Sequence, residues 1–479
     1  MRPAVGAGAL LSALLLAACD LAPDYAPPTA EIPAGYKEDT RDWTAADPKD
    51  EQARGDWWQA FHDTTLDGLE DKVTSANQDL KVAVARFDEA RADAKTAQAD
   101  YYPSLDASGS ATREHVSKVA QNPLPRSTGN NLSLGLDFSW EIDVWGRVRN
   151  QAKAGADQAE ASAGDLAAVS LSLHAELATD YFILRGYDAQ QDVLDRTVAD
   201  YRKALELTQA RFKIGYAARP DVSAAEAQYQ GAATQATETR LKRTNLEHAI
   251  AILTGAVPAE FGLAVQLLEA TPPPIAPVLP AALLERRPDI AAAERRTAAA
   301  NAEIGVARAA YYPTFDLNAL LGVQSATPAK LFTAPAQAWS FGPSALVNLF
   351  DGGKRDALND KARASYDEAV AQYRQTVLNA FGEVEDNLAA LRLLAQEHET
   401  QQAAVTAAAD STHQAASLYG GGLETFYDVI TAENIELSDR LSEVDIRTRR
   451  MTASVLLIKA LGGGWDRGEG LKVADSGAP

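Results

Sequence analysis

The chain has 479 residues, room for about three ordinary domains at roughly 100–200 residues each. Lys and Arg number 45 against 66 Asp and Glu, and the net charge of -21 repels a phosphate backbone, which argues against nucleic acid as a partner. A single Cys rules out an intrachain disulfide and six scattered His offer no metal-binding cluster, while abundant Ala, Gln, Glu and Leu beside two Met favour long helices.

Residues 1–18 read as a signal peptide, a single Arg2 followed by an apolar run too short to span a membrane as a helix. Leu16-Ala17-Ala18-Cys19 resembles a lipobox, where bacterial lipoproteins are cut before Cys and lipidated on that sulfur and the new amine. Cys19 is therefore the expected lipidation site, and its diacylglycerol and acyl chains are the only bound group expected; no cofactor or metal is. Asp20 resembles the signal that keeps enteric lipoproteins in the inner membrane. Residues 19–62 form the expected lipidated segment, extended by Pro23, Pro27, Pro28, Pro33 and Pro48. No later stretch offers ~20 uninterrupted apolar residues, so no helix is expected to span the bilayer.

A first helix is expected from the capping residues Asp63-Thr64-Thr65 to Asp100, stopped by Tyr101-Tyr102-Pro103. That stop belongs to an internal repeat. Tyr101-Tyr102-Pro103-Ser104-Leu105-Asp106 returns as Tyr311-Tyr312-Pro313-Thr314-Phe315-Asp316 at an offset of 210, Leu253-Thr254-Gly255 as Leu461-Gly462-Gly463 at 208, and Pro220-Asp221-Val222 as Tyr427-Asp428-Val429 at 207. Duplication explains matches that keep their order. The expected organisation is a first repeat at 63–255, a Pro-rich linker at 256–285, a second repeat at 286–464 and a loose tail at 465–479. Each repeat holds a helix, a β-hairpin, a very long helix and a return helix.

Within the hairpin expected at 104–144, Leu132, Leu134, Leu136, Phe138, Trp140, Ile142 and Val144 alternate with Ser133, Gly135, Asp137, Ser139, Glu141 and Asp143. The second hairpin, 314–350, places Phe315, Leu317, Ala319, Leu321 and Val323 on one face, with a fourth strand from Trp339 to Phe350. Strict alternation over more than the ~9–11 residues of a tilted membrane strand suits a transmembrane β-structure. Four strands cannot close a barrel, and lipid does not tolerate an open edge, so copies must share one. Two copies would make eight strands and three would make twelve, and three suit a channel better. Such strands favour the outer membrane over the Asp20 signal.

The long helices are expected at 146–211 and 353–419; the first, 66 residues, would extend ~100 Å. Tyr366, Val370, Tyr373, Val377, Phe381, Val384, Leu388 and Leu391 recur at spacings of three and four, as in helices packed side by side. The helices end at the turns Lys213-Ile214-Gly215 and Gly420-Gly421-Gly422. No nucleophile elbow, phosphate loop or metal-ligand spacing is present, so the chain is not read as an enzyme; Glu383 and Glu385 read as a solvated or lumen-facing pair.

Together these features resemble the bacterial outer membrane factor family, the TolC/NodT-type conduits, in its lipoprotein branch serving resistance-nodulation-division efflux systems. The resemblance rests on Cys19-Asp20-Leu21-Ala22-Pro23-Asp24-Tyr25, on Trp57-Trp58-Gln59-Ala60-Phe61 and on Ser139-Trp140-Glu141-Ile142-Asp143-Val144-Trp145-Gly146-Arg147-Val148-Arg149. Leu284-Glu285-Arg286-Arg287-Pro288-Asp289-Ile290 and Lys459-Ala460-Leu461-Gly462-Gly463-Gly464-Trp465 complete it. It implies a mainly α fold with transmembrane β: a duplicated protomer giving four strands of a shared twelve-stranded barrel and the long helices of a periplasmic α-barrel, in a homotrimer. It further implies a passive outer-membrane exit duct for small molecules or drugs, with the helical part in the periplasm. The implied partners are a periplasmic adaptor (membrane fusion) protein, an inner-membrane resistance-nodulation-division pump and outer-membrane lipid. Type I secretion and a non-conducting periplasmic coiled-coil lipoprotein scaffold are the alternatives. The family's periplasmic gate maps onto Tyr419 and Asp428; Glu424 stands where some relatives have Arg, and Thr431 where certain members have a second Asp. Asp428 also has the placement of a helix cap, and both roles can coexist.

Overall fold

A computed structural model of the chain describes residues 20–38, 56–115, 128–268, 270–275, 283–284 and 286–463. The signal peptide, Cys19 and the tail at 465–479 lie outside the described residues. The chain divides into two compact units, the first from residues up to Thr29, Arg86–Ala163 and Ala292–Arg374, the second from Ala30–Ala85, Gly164–Ala291 and the residues from Gln375 on.

The elements follow the duplication closely. The first repeat runs α1 (Thr64–Ala76), α2 (Gln78–Ala99), β1 (Ser104–His115), β2 (Thr128–Glu141), α3 (Arg147–Lys213) and α4 (Arg219–Leu253). The second runs α5 (Pro288–Ala309), β3 (Thr314–Ser325), β4 (Gln337–Leu346), α6 (Lys354–Gly420) and α7 (Phe426–Ala460). Helices α2 and α5 both have 22 residues, β1 and β3 both 12, α3 and α6 both 67, and α4 and α7 both 35.

Three expectations are corrected. The helix expected from Asp63 to Asp100 is two, because Asn77 leaves helical geometry (φ -59, ψ 132). Its side chain accepts from Leu80 N at 2.9 Å and donates to the Leu253 carbonyl at 2.8 Å, capping the second helix and docking the joint. Strand β2 ends at Glu141 although the alternation continues to Val144, since Asp143 turns to accept the Val148 and Arg149 N–H groups at 3.2 and 2.9 Å and Gly146 takes a positive φ of 76. Capping the long helix prevails over extending the strand. The fourth strand ends at Leu346, not Phe350, because Asp351 does the same work for α6, accepting from Gly353 N at 3.0 Å and Arg355 N at 3.2 Å.

In the first unit, β1-β2-β3-β4 form one antiparallel sheet with two free edges. Its register aligns the apolar sets: Leu105 with Phe138, Leu136 with Leu321, Trp140 with Leu317, and Ala319 with Phe341. One face is therefore apolar across all four strands, and its side chains are uncovered, Trp339 being 76 % exposed and Phe341 69 %. Helix α5 holds the N-terminal segment in the same unit. Asn301 and Arg308 of α5 donate to the Pro23 and Leu21 carbonyls at 2.8 and 3.1 Å. Gly305 makes room, for a Cβ there would stand 2.8 Å from Ala22.

In the second unit, Trp58, Phe61, Leu66, Leu69 and Val73 pack on Leu177, Tyr181, Phe182, Ile250, Met451 and Val455. A second cluster joins Tyr36 and Leu283 to Val384, Leu388, Leu391 and Leu457, which buries the middle of the apolar stripe expected on α6. After a short 3-10 turn at Pro258–Glu260, linker residues 261–268 are irregular. Side chains replace a ladder there: Arg185 donates to the Ala264 carbonyl at 2.7 Å, Arg243 to the Leu263 carbonyl at 2.8 Å, and Asp188 accepts the Gln266 N–H at 3.1 Å.

Candidate functional site

Each long helix ends in a glycine turn that reverses the chain into its return helix. Gly215 donates to the Phe212 carbonyl at 3.0 Å and Tyr216 to the Arg211 carbonyl at 2.9 Å; Gly422 and Leu423 repeat the pattern onto Tyr419 and Leu418 at 3.1 and 2.9 Å. Positive φ angles of 84 at Gly215 and 75 at Gly422 make these positions suited to glycine.

Tyr419 and Asp428 are held by different partners. The Tyr419 ring lies 5.4 Å from that of Phe426, and the Arg211 guanidinium sits 4.9 Å from its centroid. Phe426 belongs to a small core with Leu205, Ala225, Ala415, Val429 and Ala432, so the aromatic pair ties the turn to helices of both repeats. Asp428 caps α7: one carboxylate oxygen accepts from the Thr425 hydroxyl at 2.6 Å and the Thr425 N–H at 3.1 Å. These hydrogen bonds hold its carboxyl below the usual range, so it stays charged through the physiological pH window. Asp221 caps α4 in the same way, accepting from Ala218 N at 2.9 Å. Glu424 has no hydrogen bond or ion pair among the described residues, and Thr431 bonds back to the Tyr427 carbonyl at 2.8 Å. Around the turns, Ile214, Tyr216, Leu423 and Tyr427 are each at least 70 % exposed.

Arg211 was not among the residues expected here, although a cation in the last turn of a helix fits the helix dipole. Glu383 is half exposed, as expected of a solvated residue, while Glu385 is partly covered by the N-terminal segment. Glu383 accepts from buried Arg287 at 2.6 Å, and Glu385 accepts the Lys37 and Glu38 N–H groups at 2.7 and 3.0 Å. Arg287 also donates to Asp289 and to the Ala460 carbonyl, which gives its sequence motif a structural role.

The sheet's second face is hydrophilic. Ser108 donates to Asp137 at 2.7 Å, Ser110 and Ser133 share a 2.9 Å hydrogen bond, and Gln324 donates to Asn131 at 2.8 Å. Asp106 lies opposite Asp137, and Asp316 opposite Glu141. At the strand ends nearest the helices, the Trp140 indole donates to the Tyr101 carbonyl at 3.1 Å and the Trp145 indole to that of Pro313 at 2.8 Å while stacking on Tyr312. The repeated Tyr-Tyr-Pro thus ends each helix and contributes to an aromatic cluster where the sheet starts.

Asp20, the first described residue, accepts from Asn150 at 2.7 Å and Ala22 N at 3.0 Å. Burial raises its carboxyl, but these bonds and the nearby Arg149 leave it below the usual range. Residue 20 is thereby pinned to the first turn of α3, next to the sheet.

No helix among the described residues is long and apolar enough to cross a membrane, and no group of His, Cys, Asp or Glu among them could hold a metal ion. Neither fact bears on a β-barrel.

The family description "Outer membrane efflux protein" matches residues 69–256 and 279–463. The chain is 31 % identical to the outer membrane protein OprJ of Pseudomonas aeruginosa over 99 % of both chains. It is similar to the solved outer-membrane channel OprN, with 30 % identity, a TM-score of 0.83 and 93 % and 100 % of the two chains covered. Against the CmeC outer membrane channel of Campylobacter jejuni the identity is 25 %, the TM-score 0.88 and the coverage 94 % and 96 %. An amphipathic sheet with two free edges, long paired helices and a match over both repeats converge, and the chain belongs to the outer membrane efflux protein family, as an efflux channel protein of the outer membrane.

Proposed function

We propose that three copies of this chain close one twelve-stranded barrel, each contributing its four-stranded sheet, and that their long helices continue it as a periplasmic tunnel. The sheet itself carries the reading. It has one uncovered apolar face, one hydrogen-bonded polar face and two unpaired edges. Only lipid outside, water inside and neighbouring copies at both edges satisfy all three. A periplasmic scaffold has no use for such a sheet.

In this reading the barrel is a passive exit duct for small molecules, receiving them from an inner-membrane resistance-nodulation-division pump through a periplasmic adaptor. Acyl chains on Cys19 anchor the chain in the outer membrane, and no resident cofactor takes part. The attachment of Asp20 beside the sheet supports that anchor, since it keeps the preceding residue near the membrane-embedded strands. The turns close the periplasmic end, with Tyr419 holding the second turn against Arg211, and Asp428 and Glu424 lending negative charge to the constriction.

The test is mobility of the unheated protein in a detergent gel, followed by conductance in a planar bilayer. A trimer that conducts poorly, and conducts more as Asp428→Ala with Tyr419→Phe, is the expected result. A monomer that never conducts, even with both substitutions, overturns the reading.

A further inference from the structure

A cavity of about 280 Å³ lies in the second unit among α3, α6 and α7, and Thr412 on its wall is a few residues short of Tyr419. Tyr201 and Thr412 both line it, and the hydroxyls of both are covered and make no hydrogen bond of normal geometry. Tyr201 is only 5 % exposed, with Gln228 beside its hydroxyl. Such orphaned groups are costly, and a ligand that met them would recover the loss. Glu433 stands on the same wall. One of its oxygens accepts from Gln228 at 2.9 Å, and the other makes no hydrogen bond.

The other charges around the cavity are already paired. Arg196 pairs with Asp192 at 2.8 Å, Arg440 with Glu436 at 2.7 Å, and Asp200 with Lys203 at 3.0 Å. Beside the second oxygens of those paired carboxylates, what remains is Glu433 Oε1 and two hydroxyls, on three helices. A divalent metal takes about six oxygens in close, regular array, whereas these three acceptors face a space near the lower end of small-molecule pockets.

We propose that this cavity binds a compact organic cation bearing a primary ammonium group, whose three N–H donors are shared by Glu433 Oε1, the Tyr201 hydroxyl and the Thr412 hydroxyl. Partial burial of Glu433 strengthens the attraction, because a carboxylate removed from water gains most from a nearby cation. So placed, the ligand joins α3, α6 and α7 just behind the closing turns.

Calorimetric titration of the full-length protein in detergent with n-propylammonium chloride, at ionic strength fixed by sodium chloride, tests the site. Saturable heat is expected, with affinity lowered roughly tenfold in Glu433→Gln, which keeps the shape and the Gln228 contact, and roughly threefold in Thr412→Val. Unheated gel mobility verifies that both variants assemble, and Thr412→Val carries the test if Glu433→Gln fails to. Absence of saturable heat in the parent protein, or an assembled variant series that binds like the parent, overturns the proposal. Because heat reports binding directly, the outcome does not depend on whether the turns gate a channel.

Discussion

In the first repeat the long helix ends with Arg211-Phe212-Lys213 and the return helix is capped by Asp221 through the backbone of Ala218; in the second the same places hold Leu418-Tyr419-Gly420, with Asp428 capping through both backbone and hydroxyl of Thr425. The helices on either side keep equal lengths of 67 and 35 residues. Duplication has thus held the scaffold and let the contacts diverge. The divergence extends along the long helix, where His174 of α3 corresponds to Phe381 of α6. His174 accepts or donates a 2.6 Å hydrogen bond with fully buried Glu70, under the stacked ring of Trp58, whereas Phe381 packs in an apolar cluster.

The strongest test of this asymmetry lies where the repeats meet, at the pairing of Gly135 with Gly322. A Cβ at Gly322 would stand 2.5 Å from the Leu134 carbonyl oxygen, a backbone atom that cannot move aside, while one at Gly135 meets Leu320 Cδ1 at 3.3 Å, which can rotate. Gly322→Ala is expected to cost roughly 3 kcal/mol or more and to abolish heat-modifiable gel mobility, against about 1 kcal/mol or less for Gly135→Ala. Equal losses would remove the distinction.

Next comes the pH dependence of the Glu70–His174 pair. Burial, with Asp67 and Asp71 nearby, raises the Glu70 carboxyl to about 9, and burial lowers His174 to about 4. The folded chain thus keeps a proton on Glu70 that the unfolded chain releases above about 4.5, and stability falls as pH rises toward 9. His174 acts oppositely, from about 4 up to its ordinary 6.5. The slopes cancel below 6.5 and only the fall remains above it. Glu70→Gln should remove that fall, on the order of 3 kcal/mol between pH 6.5 and 9, measured by denaturant melts across the range. A slope unchanged by the substitution would mean that Glu70 is ionised in the folded chain.

Smaller effects are expected at the turns. Arg211→Leu gives the first turn the residue found at Leu418 and removes the cation from Tyr419, for about 0.5–1 kcal/mol, visible as more frequent channel opening in a bilayer. Thr425→Ala converts the second cap to the form of the first and should cost about 0.5 kcal/mol by thermal melting, the smallest of the four. If opening responds to Thr425→Ala and not to Arg211→Leu, the cap and not the aromatic contact holds the turn.

Much of the architecture was readable because the sequence writes period and order directly. Alternation marked β2 and β3, spacing of three and four marked the face of α6 that is buried from Tyr373 to Leu391, and the repeated Tyr-Tyr-Pro and Gly turns marked the element ends. The errors fell where one side chain had two possible uses. Asp143 and Asp351 could extend an alternating pattern or cap the next helix, and Glu385 could face water or anchor the N-terminal segment.

By itself the amino-acid order determined the duplication, the amphipathic strands, the long helices and the positions of their turns, because these depend on local periodicity and on glycine, proline and capping chemistry near in the chain. Tertiary structure alone decided that Arg211 meets Tyr419, that Glu70 meets His174 and that Tyr201, Thr412 and Glu433 share one cavity. Those partners are far apart in the chain, and no periodic signal records which residue stands opposite which across two packed helices.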